Sequence, residues 1–374
     1  MVVKGGKGEM NAVDKLTGGK LKKDDIALMA RELVLVTLPH KDPGDIPRWK
    51  RQNGNITLAI QPGYKDDPKD RRKTIFIGYP YGSIARLILY WIVTEARRTQ
   101  DPRLELGKSL ADFIRKLGLE PNYGGGKRSS ANAVMRQLER LITARVTIER
   151  NIEDGTGNGR EGFELPVAAA WRLLWKTNDH TQSLLGESYL VLNEYFFKAI
   201  LTSPVPVRMM TLLALKKSPL GLDLYAWATL ESYKAKTHKQ GRFISWRLLH
   251  EQFGTEISAL DNFVKKAKRE LQKILCNCPT IKLTFEHGGV QIHAESLPDV
   301  SPRETREALE PLPDTLLVSN SVPSEKALAR VLEMNTSEGS IALSIKFQKA
   351  VKQGAAENTD EAYIAFAKQY VTSE

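Results

Sequence analysis

The chain reads as an α+β protein, mainly helical, with two tandem winged-helix units and a small helical module at its C-terminal end. Three observations lead there. An order of helix, short strand, helix, helix and β-hairpin runs through residues 72–203 and recurs through 204–296. That is the layout of a helix-turn-helix variant followed by a hairpin wing. The third helix of each round has an apolar stripe on one side and Lys, Arg and Asn on the other. A proline-punctuated stretch, 297–322, then reads as a linker to a last region, 323–374. The two rounds repeat an order of elements and share no letter-by-letter similarity.

Residues 1–24 are expected to be a disordered basic tail, rich in Gly and Lys. Residues 25–71 form an N-terminal segment, with Asp24 to Leu38 apolar and Ile56 to Ile60 a strand ended by Pro62-Gly63. The first unit opens with a strand, Lys73 to Ile77. A helix follows, with Ile84, Leu87, Ile88, Trp91 and Ile92 at helical spacing. Leu104 to Leu106 is a short strand, and Ser109 caps the second helix. Gly124 to Gly126 mark a stop, and the third helix spans Ser130 to Thr143. The hairpin is expected from Arg145 to Arg150 around a turn at Asp154 to Gly159. Further strands follow at Val167 to Trp175 and Tyr189 to Leu192, then a helix from Glu194 to Leu201.

In the second unit, helices are expected at Val207 to Leu215 and at Leu222 to Tyr233, the latter behind Ser218-Pro219. A strand at Arg242 to Ser245 leads into a helix, Trp246 to Phe253, stopped by Gly254. A long helix from Ile257 to Leu275 carries the apolar stripe Ile257, Leu260, Val264, Ala267, Leu271 and Ile274. Thr280 to Phe285 and Val290 to Ala294 close the unit as a hairpin. Trp91, Trp171, Trp175, Trp227 and Trp246 all fall within apolar stripes and are expected in the core.

Charge then bounds function. The formal net charge is +11 over 374 residues, with a pI near 9.4, and nucleic acid is the commonest reason for such an excess. No apolar run approaches the ~18 residues of a membrane span, and the N-terminus lacks the apolar core of a signal peptide. Two cysteines, Cys276 and Cys278, fit a reducing cytoplasm and stand where a helix ends. No catalytic or metal motif completes. Lys127 follows three glycines, but Pro121 and Arg128 break the phosphate-loop pattern. His287 and His293 do not make the close histidine pair of a nicking enzyme. No cofactor and no enzymatic activity are expected.

The candidate DNA contacts are Lys127, Arg128, Asn132, Arg136 and Arg140 at the first third helix. At the second they are Asn262, Lys265, Lys266, Arg269 and Lys273. Arg matches the guanine edge, Asn the adenine edge, and Lys the phosphates. A solvated basic face is the competing interpretation of either helix alone. No aromatic ladder suits single strands.

Several motifs resemble RepA-type plasmid replication initiators. They include Thr37-Leu-Pro-His40, Asn53-Gly-Asn55, Ile60-Gln-Pro-Gly-Tyr64, Pro80-Tyr-Gly-Ser-Ile-Ala-Arg86 and Thr94-Glu-Ala96. Downstream stand Ser218-Pro219, Asp223-Leu-Tyr-Ala-Trp227, Ile244-Ser-Trp246 and Gln252-Phe-Gly254. The resemblance covers roughly Val34 to Leu297. It implies a protein that binds direct repeats, called iterons, in double-stranded origin DNA, helps open the duplex, and brings in the host replication initiator and helicase. It also implies a homodimer off DNA. A winged-helix transcriptional repressor without origin activity is the alternative, and a nickase or primase is the enzymatic one.

Overall fold

The computed structural model describes residues 21–122, 129–154, 157–164, 166–174, 188–202, 204–236, 241–301, 303–305 and 365–366. The chain divides into two compact units, Met1–Leu309 and Glu310–Glu374. Only Ala365 and Phe366, both helical, are described in the second.

In chain order, the N-terminal segment contributes β1 (Ile26–Met29), α1 (Arg31–Leu35), β2 (Trp49–Asn53), β3 (Ile56–Gln61) and a hairpin of β4 (Gly63–Asp67) and β5 (Asp70–Gly78). The first round follows with α2 (Gly82–Thr99), β6 (Arg103–Gly107), α3 (Leu110–Lys116), α4 (Ser130–Thr143), β7 (Arg145–Asp154), β8 (Gly157–Glu164), β9 (Ala168–Arg172), β10 (Ser188–Leu192) and α5 (Glu194–Thr202). The second has β11 (Val205–Arg208), α6 (Met209–Ala214), α7 (Pro219–Ala235), β12 (Arg242–Ser245), α8 (Trp246–Phe253), α9 (Leu260–Asn277), β13 (Leu283–Phe285) and β14 (Gly289–Ile292).

The expected caps are in place. The hydroxyl of Ser109 accepts the Asp112 N–H at 3.2 Å, and that of Ser218 accepts the Gly221 N–H at 3.0 Å. The Gly254 N–H reaches the His250 carbonyl at 2.7 Å and ends α8. Ser129 and Ser245 cap α4 and α8 in the same way. Each satisfies one N–H that a helix start leaves without a partner.

Two three-stranded antiparallel sheets share one order. In β6-β10-β9 and in β12-β14-β13, the strand that follows a long buried helix, α2 or α7, pairs with the last strand, which pairs with the one before it. The first of these sheets corrects the expected layout. The hairpin β7–β8 does not serve as its wing; it extends β2-β3 into the four-stranded sheet β2-β3-β7-β8, and β9 and β10 complete the three-stranded sheet instead. Asp154 pairs with Gly157, so the strands reach further into the expected turn at Asp154 to Gly159.

Other differences are local. Val205–Arg208 is a strand, not the start of a helix, because β1 lies antiparallel to it with Ile26 opposite Arg208 and Met29 opposite Val205. The long helix starts at Leu260 rather than Ile257, whose N–H instead closes a turn on the Gly254 carbonyl at 2.7 Å. Leu260 is 40% exposed and Phe263 is fully buried, so Phe263 takes the stripe position assigned to Leu260. Trp91, Trp227 and Trp246 are buried as expected, whereas Trp171 is 47% exposed on the edge strand β9. Trp175 lies outside the described residues. The stretch expected to begin the linker at 297 stays in the fold, with Pro298, Asp299 and Val300 buried.

One contiguous core runs through the N-terminal segment and both rounds, from Ile26 and Leu28 through Ile88 and Phe113 to Leu224, Phe263 and Ile292. The boundary between rounds is therefore packed, and the N-terminal segment belongs to both. No helix among the described residues is long and apolar enough to cross a membrane.

Candidate nucleic-acid interface

Helix α9 buries Phe263, Ala267, Glu270, Leu271 and Ile274 against α7 and α8. At 100° per residue, Asn262, Lys265, Lys266, Arg269 and Lys273 fall within an arc of about 100° on the other side. All five are exposed. Asp261 in the first turn suits the positive end of the helix dipole.

Buried Glu270 lies beneath this face. Its carboxylate accepts from Lys273 Nζ at 3.0 and 3.1 Å and from Arg269 Nε at 3.3 Å. A Cβ on Gly221, in the first turn of α7, would stand 3.0 Å from its Oε2. Glu270 thus faces the positive end of α7 and pairs with the Lys273 ammonium and the Arg269 Nε, whose side chains remain 51% and 66% exposed. Lys268 points elsewhere, with Nζ 5.5 Å from the Trp246 ring centre and 5.8 Å from that of Phe285. It ties α9 to its sheet.

Helix α4 buries Ala131, Val134, Gln137, Leu138, Leu141 and Ile142. Gln137 Oε1 accepts the Tyr81 N–H at 2.9 Å and so fixes the entry to α2. Asn132 is half-buried and Arg136 exposed. Arg140 departs from the expected pattern. Its Nε donates to the Ile77 carbonyl at 2.9 Å, and Nη1 reaches Tyr79 O at 3.3 Å and Asp42 at 3.2 Å. With a side chain only 16% exposed, lying over the Tyr81 ring, Arg140 holds α4 to the end of β5 instead of presenting a base-reading group. Lys127 and Arg128 lie outside the described residues.

Sequence reasoning did not foresee a buried charge cluster that joins all three parts of the chain. Arg86 of α2 makes a two-point ion pair with Asp223 of α7, Nε to Oδ1 and Nη2 to Oδ2, both at 2.7 Å. Its other N–H groups reach the carbonyls of Leu38, Pro39 and Gly82. His40 Nε2 lies 2.8 Å from Asp223 Oδ2. Arg51 of β2 donates to Thr37 and Leu38 and to Glu256 at 2.8 Å. The Glu256 carboxylate also accepts the N–H groups of His40 and Lys41 at 2.9 and 3.0 Å. Burial alone would raise the Asp223 carboxyl, but the Arg86 guanidinium outweighs it and holds the pKa down at about 2. Burial lowers Arg51 to about 10. Burial also pushes His40 below its ordinary 6.5, helped by Arg86 and Arg51 and opposed by Asp223. His40 is thus neutral, with Nε2 donating to Asp223. The available signal was a charge placed inside an apolar run, at Arg86 and again at Asp223.

Among the described residues no group of His, Cys, Asp and Glu could hold a metal ion. Cys276 is exposed in the last turn of α9, and Cys278 is buried just after it. The Cys278 thiol lies 3.2 Å from Asp299, and burial, with that carboxylate, pushes its pKa far up.

The fold and its faces define an α+β protein with two similarly ordered helix–strand units and a cationic helix in the second. Residues 79–247 match the family described as plasmid encoded RepA protein. The match starts immediately before α2 and ends at the second residue of α8, so α9 lies beyond it. No curated protein sequence matches the chain. Among solved structures, a crystal structure of domains 2 and 3 of RctB is similar at a TM-score of 0.39 and 12% identity, covering 69% of this chain and 93% of that one.

Proposed function

We propose that this chain is a plasmid replication initiator that acts by binding rather than by catalysis. It recognises direct repeats in double-stranded DNA at the plasmid origin, promotes opening of the adjacent duplex and recruits host replication proteins. It works in the cytoplasm and uses no cofactor. The RepA-family match over residues 79–247 carries this proposal. The shared sheet order of the two rounds supports a pair of winged-helix units, with boundaries at residues 72–203 and 204–296. In the two units α4 and α9 each enter a major groove, which is wide enough for a helix. Helix α9 offers Asn262, Lys265, Lys266, Arg269 and Lys273, and α4 offers Asn132 and Arg136, with Lys127 and Arg128 just before it. Arg140, one turn beyond Arg136, anchors the C-terminal part of that helix to the end of β5.

Two units on one face of the duplex would occupy successive major grooves, about 10 base pairs apart. One monomer should then protect about 20 base pairs of a repeat. Off DNA, the first unit dimerises through the edge strand β9. The test joins footprinting on the DNA flanking its own gene to a plasmid-replication assay with that DNA as origin. Protection of about two turns per repeat and replication dependent on the protein are expected. Protection and repression without replication would instead identify a repressor. Cleavage of the DNA in magnesium would identify an enzyme.

A further inference from the structure

The hairpin β4–β5 has no place in the repeated layout and no part in the proposed contacts. Among the described residues its two strands pair only with each other. An isolated two-stranded hairpin is marginal in water, so something must hold it, and α4 does. Lys65 Nζ meets Glu139 Oε1 at 2.7 Å. The Arg140 guanidinium binds the Ile77 carbonyl, and a Cβ on Gly78 would stand 2.8 Å from Arg140 Nη2. Gly63 lies so close to Thr143 that a Cβ there would meet Thr143 Cβ at 2.4 Å. Residues 139, 140 and 143 of α4 thus clamp the base of the hairpin, while Tyr64 and Phe76 stack edge to face across it, 5.7 Å between ring centres.

Beyond that base the strands carry cations outward. Lys69, Arg72 and Lys73 are all exposed, and the Lys73 side chain is 74% so. Two of the nearby acids are occupied in shaping the tip. Asp67 accepts the Lys69 N–H at 2.9 Å, and Asp70 accepts the Arg72 N–H at 3.1 Å. Lys73 and Asp70 are 3.5 Å apart, a separation that leaves an exposed pair easily exchanged for another anion. Strand geometry sets Lys73 on the same side of β5 as Ile75, which lies opposite Lys65. Lys73 therefore shares the side that meets α4, and Arg72 beside it takes the other side of the ribbon, so the two cations flank the hairpin.

We infer that the β4–β5 hairpin is a second DNA-contacting element, a ribbon whose Lys69, Arg72 and Lys73 grip the phosphate backbone beside the groove that α4 enters. It rests on the proposal that α4 docks on duplex DNA. The hairpin adds affinity and fixes the approach of α4 without reading sequence, because contacts to phosphate carry no base information. Each phosphate neutralised contributes about 0.9 to the slope of log K against log salt.

The test uses the full chain and a duplex containing its footprinted repeat, beside a scrambled duplex of equal length. Lys69→Ala, Arg72→Ala, Lys73→Ala in one protein should flatten the salt slope by about 2–3. It should weaken binding to both duplexes by similar factors and leave their ratio unchanged. A single Arg72→Glu should weaken both further than Arg72→Ala. Since all three side chains are exposed, the thermal midpoint should stay at the wild-type value. An unchanged slope in the triple variant overturns the inference, and so does a selective loss on the repeat alone. If Lys265→Ala with Arg269→Ala still weakens binding in that case, the DNA-binding proposal stands and only the hairpin's part in it is lost. A wild-type protein with no salt-dependent affinity for duplex overturns both.

Discussion

Arg86 has little freedom. It is 2% exposed, and its donors meet one carboxylate and three carbonyls. Removing one member of a buried pair leaves the other charge without compensation, at a cost of about 3–5 kcal/mol. Arg86→Ala should therefore lower the urea midpoint by that equivalent, and Arg86→Lys should rescue little, since an ammonium cannot make the two-point pair. His40 gives a pH signature. Its folded pKa lies below 6.5, so the unfolded chain binds the proton more readily, and stability falls as pH drops through 6.5 toward the folded value. Asp223 acts lower. Its contribution, about 2 kcal/mol for a shift from 3.8 to about 2, is complete above 3.8 and lost as pH falls toward 2. His40→Gln should remove the part of the decline that starts near 6.5 and leave the rest; equal declines between pH 7 and 5 in both proteins would assign that loss to other groups. The motif residues Thr37, His40, Arg86 and Asp223 were each visible in the sequence. That they meet was not, because 183 residues of chain separate His40 from Asp223.

Helix α9 shows what periodicity conveys and where it stops. A spacing of three and four located its buried stripe and its cationic face. It could not choose between Leu260 and Phe263, because both satisfy that spacing and the turn over residues 254–259 sets where the helix begins. Phe263→Ala should destabilise by about 3–5 kcal/mol, as for other buried aromatics. Arg269→Ala with Lys265→Ala should leave the unfolding midpoint in place and weaken repeat binding, by about 1–3 kcal/mol for each base contact removed. Electrophoretic mobility shifts alongside thermal melts separate the two effects, and unaltered affinity in the folded double variant would make this a solvated face. The spacing gives the bounds of helix α4, but not the inward turn of Arg140. Its position on the helix is compatible with exposure, and only the end of β5 turns it inward. The strand β11 was missed for a similar reason. Val205-Pro-Val-Arg208 carries no strong local signal, and its partner β1 lies far upstream.

Across the whole chain, the net charge of +11 bears on association more than on folding. With about eight phosphates neutralised, log K should fall linearly with log salt at a slope of about −7. Titrations between low and moderate salt test this, and a slope near zero would exclude phosphate-dominated binding. Composition and element order were enough to anticipate an α+β chain with repeated units. They could not anticipate that the N-terminal segment would pair with both rounds, because the pairing partners of strands are set by tertiary packing.

The loop around Thr37 to His40 also has a consequence in time. Its partners Asp223 and Glu256 are made long after it, Glu256 lying 216 residues beyond His40. At a synthesis rate of about 5–20 residues per second, that interval lasts roughly 10–45 s. For most of that delay, until Arg208 is made, the emerging chain holds an apolar strand, β1, whose mate has not been translated, and the pairing of Arg51 with Glu256 comes later still. Folding of this unit must therefore wait for most of its length to be synthesised, and nascent chains halted before residue 205 should remain protease-sensitive around Ile26 to His40.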